Sequence, residues 1–229
     1  MERRGFIKFC AASVAALGSS EVAADARVQL YAKAKLVDEK GAPLRASAIP
    51  ANRNLIFHYP FAATPCFLLN LGKAVKPVQL KTVSGEAYEW KGGIGAQRSV
   101  VAYSAICAHR LSYPTKDISF ISFRTEKSAR NRFANVIHCC SEHSQYDPAE
   151  GTRVLAGPAP QPLAAIVLEH DSATDEVQAI GTLGGEMFTE FFERFGFKLQ
   201  MEHGSPRATV SGSCVVQELD NYCKQQVKC

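Results

Sequence analysis

The tightest constraint on this chain is a pair of short boxes separated by about thirty residues. The first reads Cys107-Ala108-His109. The second reads Cys139-Cys140-Ser141-Glu142-His143 and runs on into Ser144-Gln145-Tyr146-Asp147. Each box offers a thiolate and an imidazole at a spacing that lets both point at one metal. The fold must therefore bring two loops side by side. Two thiolates and two imidazoles suit either a tetrahedral zinc ion or a mixed-ligand iron–sulfur group.

The segments around the boxes read as strands. Val28, Leu30, Ala32, Ala34 and Leu36 alternate with polar or amphipathic partners, which is the period of a half-buried strand. Residues 55–59, 66–71 and 78–83 are further candidates, rich in branched and aromatic side chains. Residues 99–106 deliver the first box, 118–123 form one arm of an extra hairpin between the boxes, and 164–168 and 177–180 close the set. Short strands punctuated by Gly, Pro and Asn predict a mainly β fold of stacked antiparallel sheets. Met187, Phe188, Phe191, Phe192 and Phe195 then fall at helical spacing. A short helix is expected there, packed on the sheets and stopped by Gly196, with a cysteine-containing tail beyond it.

With Gly157-Pro158-Ala159-Pro160 added to the boxes, residues 95 to 180 resemble the Rieske iron–sulfur proteins. The resemblance implies a [2Fe-2S] cluster with two thiolates on one iron and two imidazoles on the other. The expected ligands are Cys107, His109, Cys140 and His143. It also implies that the Ser144 and Tyr146 hydroxyls donate to the cluster's sulfurs, which stabilises the more negative, reduced state, and that the proline loop covers the cluster. The corresponding division of the chain is a signal over 1–26, a Rieske domain over 27–183 with its cluster-binding part at 95–180, and a helix and tail over 184–229. Respiratory relatives carry one extra cysteine in each box, joined as a clamp. Ser112 and Glu142 stand at those positions here, so that clamp is absent.

Two counts through the second box compete. Counting back from His143 with two intervening residues lands on Cys140. Counting back from Ser-x-Tyr-Asp lands on Cys139 and puts Glu142 where a histidine belongs. A glutamate is a hard oxygen ligand and does not reproduce an imidazole, so the need for nitrogen favours Cys140 with His143, and Cys139 is the alternative.

At the N-terminus, Arg3 and Arg4 precede an apolar run of about nine residues and the cleavage pattern Ala24-Asp25-Ala26. This resembles a twin-arginine export signal, and the run is short of the ~20 residues of a spanning helix. A periplasmic product is expected, with membrane association only through an uncleaved N-terminus or a partner subunit. Eight cysteines fit a compartment where disulfides form. Beyond the ligands, Cys214 with Cys223 suits a short loop, and Cys66 is a candidate to pin the tail. A net charge of +4 is too small to argue for nucleic acid.

The expected role is electron transfer within a respiratory or oxidoreductase complex. The donor would be a quinol or a catalytic subunit and the acceptor a c-type cytochrome. The basic segment between the boxes (Arg110, Lys116, Arg124, Lys127, Arg130, Arg132) is either a solvated face or a docking surface for an acidic partner. Two other classes compete. An oxygenase component needs a further iron site of two histidines and a carboxylate, and downstream only His170 and His203 are available. A non-redox zinc module would use the same four box residues.

Overall fold

A computed structural model describes residues 28–229; the export signal expected over residues 1–26 lies outside the described residues. The chain enters as β1 (Gln29–Val37), β2 (Leu55–His58), β3 (Pro65–Asn70), β4 (Val78–Lys81), β5 (Ala87–Trp90) and β6 (Val100–Ser104). Between the boxes lie β7 (Ile118–Ser119) and β8 (Ile121–Arg124). The second box joins β9 (Val136–Cys139) to β10 (Ser144–Asp147), and β11 (Arg153–Ala156), β12 (Ala165–His170) and β13 (Val177–Leu183) follow. The rest comprises α1 (Met187–His203), β14 (Gly212–Val215), β15 (Gln217–Glu218), the single-turn α2 (Leu219–Tyr222) and β16 (Gln225–Gln226).

The strands form one eight-stranded sheet in the order β14-β1-β13-β12-β6-β3-β2-β15 and a four-stranded sheet in the order β11-β10-β9-β8. β4 pairs with β5, and β16 pairs with β7. All pairings in the large sheet are antiparallel except that of β1 with β14. β3 and β6 sit at its middle and are buried on both faces, so they read as continuous apolar runs. Alternation sends Phe67, Leu69, Val101 and Tyr103 to one face and Cys66, Leu68, Val100 and Ala102 to the other.

The second face is closed by the sheet itself. Leu36 and Cys214 from one end of the strand order share a cluster with Leu55 and Phe57 from the other, so the sheet curls around them. The first face packs against the small sheet through Ile121, Phe123, Ile137 and Tyr146. This layer places the second box beside the end of β6.

The phenylalanine stripe forms α1 and docks as expected: Phe191 and Phe192 pack with Ile106, Leu111 and Tyr113. The helix does not stop at Gly196. It continues to His203 and ends at Gly204, in the left-handed region at φ 66°. A glycine inside a helix costs about 1 kcal/mol, and burial of Leu199 one turn further on offsets that. The suggested Cys214–Cys223 pairing is not made either: both thiols are free and buried, as is Cys66. No described helix is long and apolar enough to cross a membrane.

Candidate metal centre

The first box leaves β6 and folds back at once. The Cys107 N–H donates to the Ser112 carbonyl at 2.9 Å, and the Leu111 N–H donates to the Cys107 carbonyl at 2.9 Å. Leu111 takes φ 59° to complete the turn and is buried against α1. The loop is therefore anchored on the helix side, with His109 at its tip.

The second box is the turn of the β9–β10 hairpin. Cys139 lies opposite Ser144 and Ile137 opposite Tyr146. Residues paired across a ladder share a face, so Cys139, Ser144 and Tyr146 all look toward the core and the first box. Cys140 looks the other way. Its N–H donates to the Phe120 carbonyl at 2.7 Å, and its sulfur is bonded to Cys229 of the tail. A disulfide sulfur has no thiolate to offer. The expectation of Cys140 as a metal ligand therefore gives way to Cys139.

The electrostatics of the pocket follow. Cys107 is pulled down to about 6, first by the neighbouring Cys139 thiol, then against burial by the Tyr146 hydroxyl and the N–H groups of His109 and Arg110. Cys139 is pushed up, chiefly by Cys107 and by burial. The two buried thiols lie side by side, and both must give up their protons to ligate a metal. The Tyr146 hydroxyl lies 3.2 Å from the Cys107 sulfur and accepts from the Ala108 N–H at 3.2 Å. Burial and Cys107 raise its pKa, so it remains a donor.

Three polar atoms here are buried and without a hydrogen-bond partner: His109 Nδ1, His143 Nδ1 and Ser144 Oγ. Such atoms are costly unless something binds them. Both imidazoles are otherwise partly exposed, so each presents a dry inner nitrogen and a wet outer edge. His143 reaches this position with φ 59°. The proline loop closes against it. At Gly157, φ 88°, a Cβ would lie 2.5 Å from the Ser144 Cα and 2.6 Å from the His143 carbonyl oxygen, so only glycine allows that approach. The donor set of Cys107, Cys139, His109 and His143, with hydroxyls at Ser144 and Tyr146, fits a mixed-ligand iron–sulfur group. A tetrahedral zinc ion holds its ligand atoms ~3.5 Å apart. Among the described residues, no three of these four bring theirs within 4.8 Å of one another.

Three further features were not legible in the boxes. Arg110 pairs with Glu142 at 3.6 Å, an ionic tie between the two loops. The buried His138 ring lies beside that of His143, tilted by 49° with centroids 5.8 Å apart. It also touches the Cys229 sulfur at 3.6 Å. His138, Cys140 and Cys229 do converge, but two of the three are joined as a disulfide. The other histidines lie elsewhere: His170 on Asp175 at 2.8 Å, and His58 beside His203. His170 and His203 do not assemble the second iron site of an oxygenase.

The chain is 28% identical over 185 residues to the iodate reductase subunit IdrB of Pseudomonas sp. (strain SCT), an alignment covering 80% of each chain. Among solved structures it is similar to the soluble domain of Rieske protein II (soxF) from Sulfolobus acidocaldarius, with 25% identity and a TM-score of 0.48 over 66% of this chain and 78% of that one. No family model matches.

Proposed function

We propose that this chain, a Rieske-type protein, carries one electron at a time on a [2Fe-2S] cluster as a subunit of a periplasmic oxidoreductase. The observation that carries the reading is the pair of inward-facing, partnerless Nδ1 atoms of His109 and His143 set against the Cys107–Cys139 thiol pair. Cys107 and Cys139 would hold one iron, and His109 and His143 the other. When bound, the cluster supplies one-electron chemistry at a potential raised by its imidazole ligands.

The chain's own residues do the rest. Burial of Cys107 and Cys139 keeps the sulfurs dry. The exposed imidazole edges offer the shortest route to a docked partner. Lys127, Arg130 and Arg132 are exposed, and the Arg130 carbonyl accepts from Gln145 on β10 at 3.2 Å. A basic patch therefore flanks the second box and suits an acidic partner face. The relative is a subunit of an iodate reductase. We accordingly place a catalytic subunit on the accepting side and a c-type cytochrome or a quinol on the donating side, reversing the direction expected from sequence. The disulfide supports an oxidising compartment, as do Arg3 and Arg4.

The test is metal and sulfide analysis with electron paramagnetic resonance of the dithionite-reduced protein. The expected result is two irons per chain and an average g below that of a four-cysteine cluster. Colourless protein with stoichiometric zinc, or a four-cysteine spectrum, refutes the reading. For localisation, the Arg3→Lys/Arg4→Lys double variant is expected to stay in the cytoplasm, and normal export argues against the twin-arginine route.

A further inference from the structure

We infer that Cys140 and Cys229 are positioning residues for the cluster: their disulfide makes the C-terminal tail the fastener of the second box. This rests on the Rieske reading and adds a part that the boxes themselves lack. The bonded residue lies inside the turn, directly after Cys139 and three residues before His143, so the tie acts between the box's two ligands.

The tail that holds it is itself firmly seated. β16 pairs in parallel with β7, Gln225 beside Ile118 and Gln226 beside Ser119. The Val227 N–H donates to the Ser119 carbonyl at 2.8 Å. The Arg124 guanidinium donates to the Val227 carbonyl, the Ser128 hydroxyl donates to the Cys229 carbonyl at 2.6 Å, and Lys224 pairs with Asp117 at 2.7 Å. The tail is thus stitched along the segment between the boxes and bonded to the second box at its far end. Cys140 is held from two sides, by this bond and by its N–H on the Phe120 carbonyl.

A packing route runs from the bond to a ligand. The Cys229 sulfur rests on the His138 ring, and that ring lies against His143. His143 sits at positive φ, a conformation that persists when its surroundings hold it. Among the described residues, the charged tie between the two boxes is the exposed Arg110–Glu142 pair, and exposed pairs hold little. The bond to the tail therefore takes over the role that a bridge between the boxes has in the respiratory relatives.

The experiment compares wild-type protein with Cys140→Ala/Cys229→Ala by redox titration and electron paramagnetic resonance, after non-reducing peptide mass spectrometry. The mass spectrum is expected to show Cys140 linked to Cys229; two free thiols in exported protein overturn the inference. The double variant is expected to keep two irons and mixed-ligand g values. Its reduction equilibrium should change at least threefold, or about 28 mV at ~59 mV per tenfold, and its g values should shift. Stability alone would move neither. An unchanged potential and signal in a fully loaded variant refutes positioning while leaving the cluster reading intact, whereas a wild-type protein without a mixed-ligand signal refutes the reading itself. If the variant loses its cluster, wild-type protein treated with a trialkylphosphine decides. The phosphine takes up oxygen from water as the disulfide becomes two thiols. After its removal, the same shift, reversed on reoxidation, supports the inference, and no shift overturns it.

Discussion

Replacing Tyr146 by phenylalanine isolates one hydroxyl with two partners. The phenol is fully buried and faces the Cys107 sulfur and the Ala108 N–H at 3.2 Å each. A hydrogen bond to a charged acceptor contributes about 1.5–3 kcal/mol. Only the part that differs between the oxidised and reduced states moves the potential. Taking a third to a half of it, about 0.5–1.5 kcal/mol, at ~1.36 kcal/mol and ~59 mV per tenfold gives a fall of roughly 20–65 mV. The same change leaves the Ala108 N–H without its acceptor, which costs about 1–3 kcal/mol of stability. Tyr103→Phe is the matched control: that phenol is equally buried but donates to the Pro148 carbonyl at 2.7 Å, away from any sulfur. Spectroelectrochemical titration at neutral pH should show the potential falling for Tyr146→Phe and unmoved for Tyr103→Phe, while urea unfolding shows both destabilised. An unshifted potential in Tyr146→Phe with a native spectrum refutes the reasoning. So does an equal shift in the control, because the effect would then come from general loosening of the core.

Cys139→Ser should abolish the mixed-ligand spectrum and iron binding, whereas Cys140→Ser should keep a mixed-ligand cluster, with only the shift in potential and g values that loss of the Cys229 link brings. Gly157→Ala forces a Cβ into the backbone of His143 and Ser144 at positive φ, which costs about 1–3 kcal/mol and should speed cluster bleaching in urea. Gly196→Ala meets open space in a helix and should stabilise by about 1 kcal/mol, so bleaching no faster in Gly157→Ala than in Gly196→Ala would count against the close approach. Burial, then His203 and Lys116, depress the pKa of His58 from its ordinary value of 6.5 to about 3. The unfolded chain therefore binds this proton first, so the His58 contribution is intact above pH 6.5 and is lost as pH falls toward 3, by up to ~1.4 kcal/mol per unit. His58→Gln should flatten that limb of a stability–pH curve, and an unchanged slope would show that the imidazole charges freely in the folded protein.

The β character and the phenylalanine helix were legible because each leaves a periodic trace. β1 alternates in sequence, although burial follows the alternation only from Ala34 and Leu36 onward, past a register break between Leu30 and Ala34; β3 and β6 are continuous apolar runs, and α1 repeats at three and four. The tail left no such trace. β15 and β16 are two residues each, too short for any period, and Gln225-Gln226 is a strand only because β7 lies beside it. A pairing that depends on a partner more than a hundred residues away cannot be read from local composition. The disulfide follows from the same docking: loop length favoured Cys214 with Cys223, whereas the tail's course along β7 delivers Cys229 to Cys140.

The second box shows why ligand spacing misled where strand geometry did not. Counting from one ligand to the next assumes that the turn keeps its length. Here four residues, 140–143, separate paired strand ends, and His143 absorbs the extra residue by adopting positive φ. A strand's faces cannot absorb anything, because a shift of one residue turns every side chain over. In Val136-Ile137-His138-Cys139, Ile137 is buried against the large sheet, so Cys139 faces inward with it, while His138 and then Cys140 face the tail. The Ser-x-Tyr count reached Cys139 for the same reason, since Ser144 and Tyr146 lie opposite Cys139 and Ile137. Its apparent failure, a glutamate at the histidine's place, is an effect of the longer turn. That turn moves Glu142 outward to Arg110 and returns the next residue, His143, to the site. In a hairpin that presents ligands, the strand parity of the residues flanking the turn therefore outranks the spacing across it.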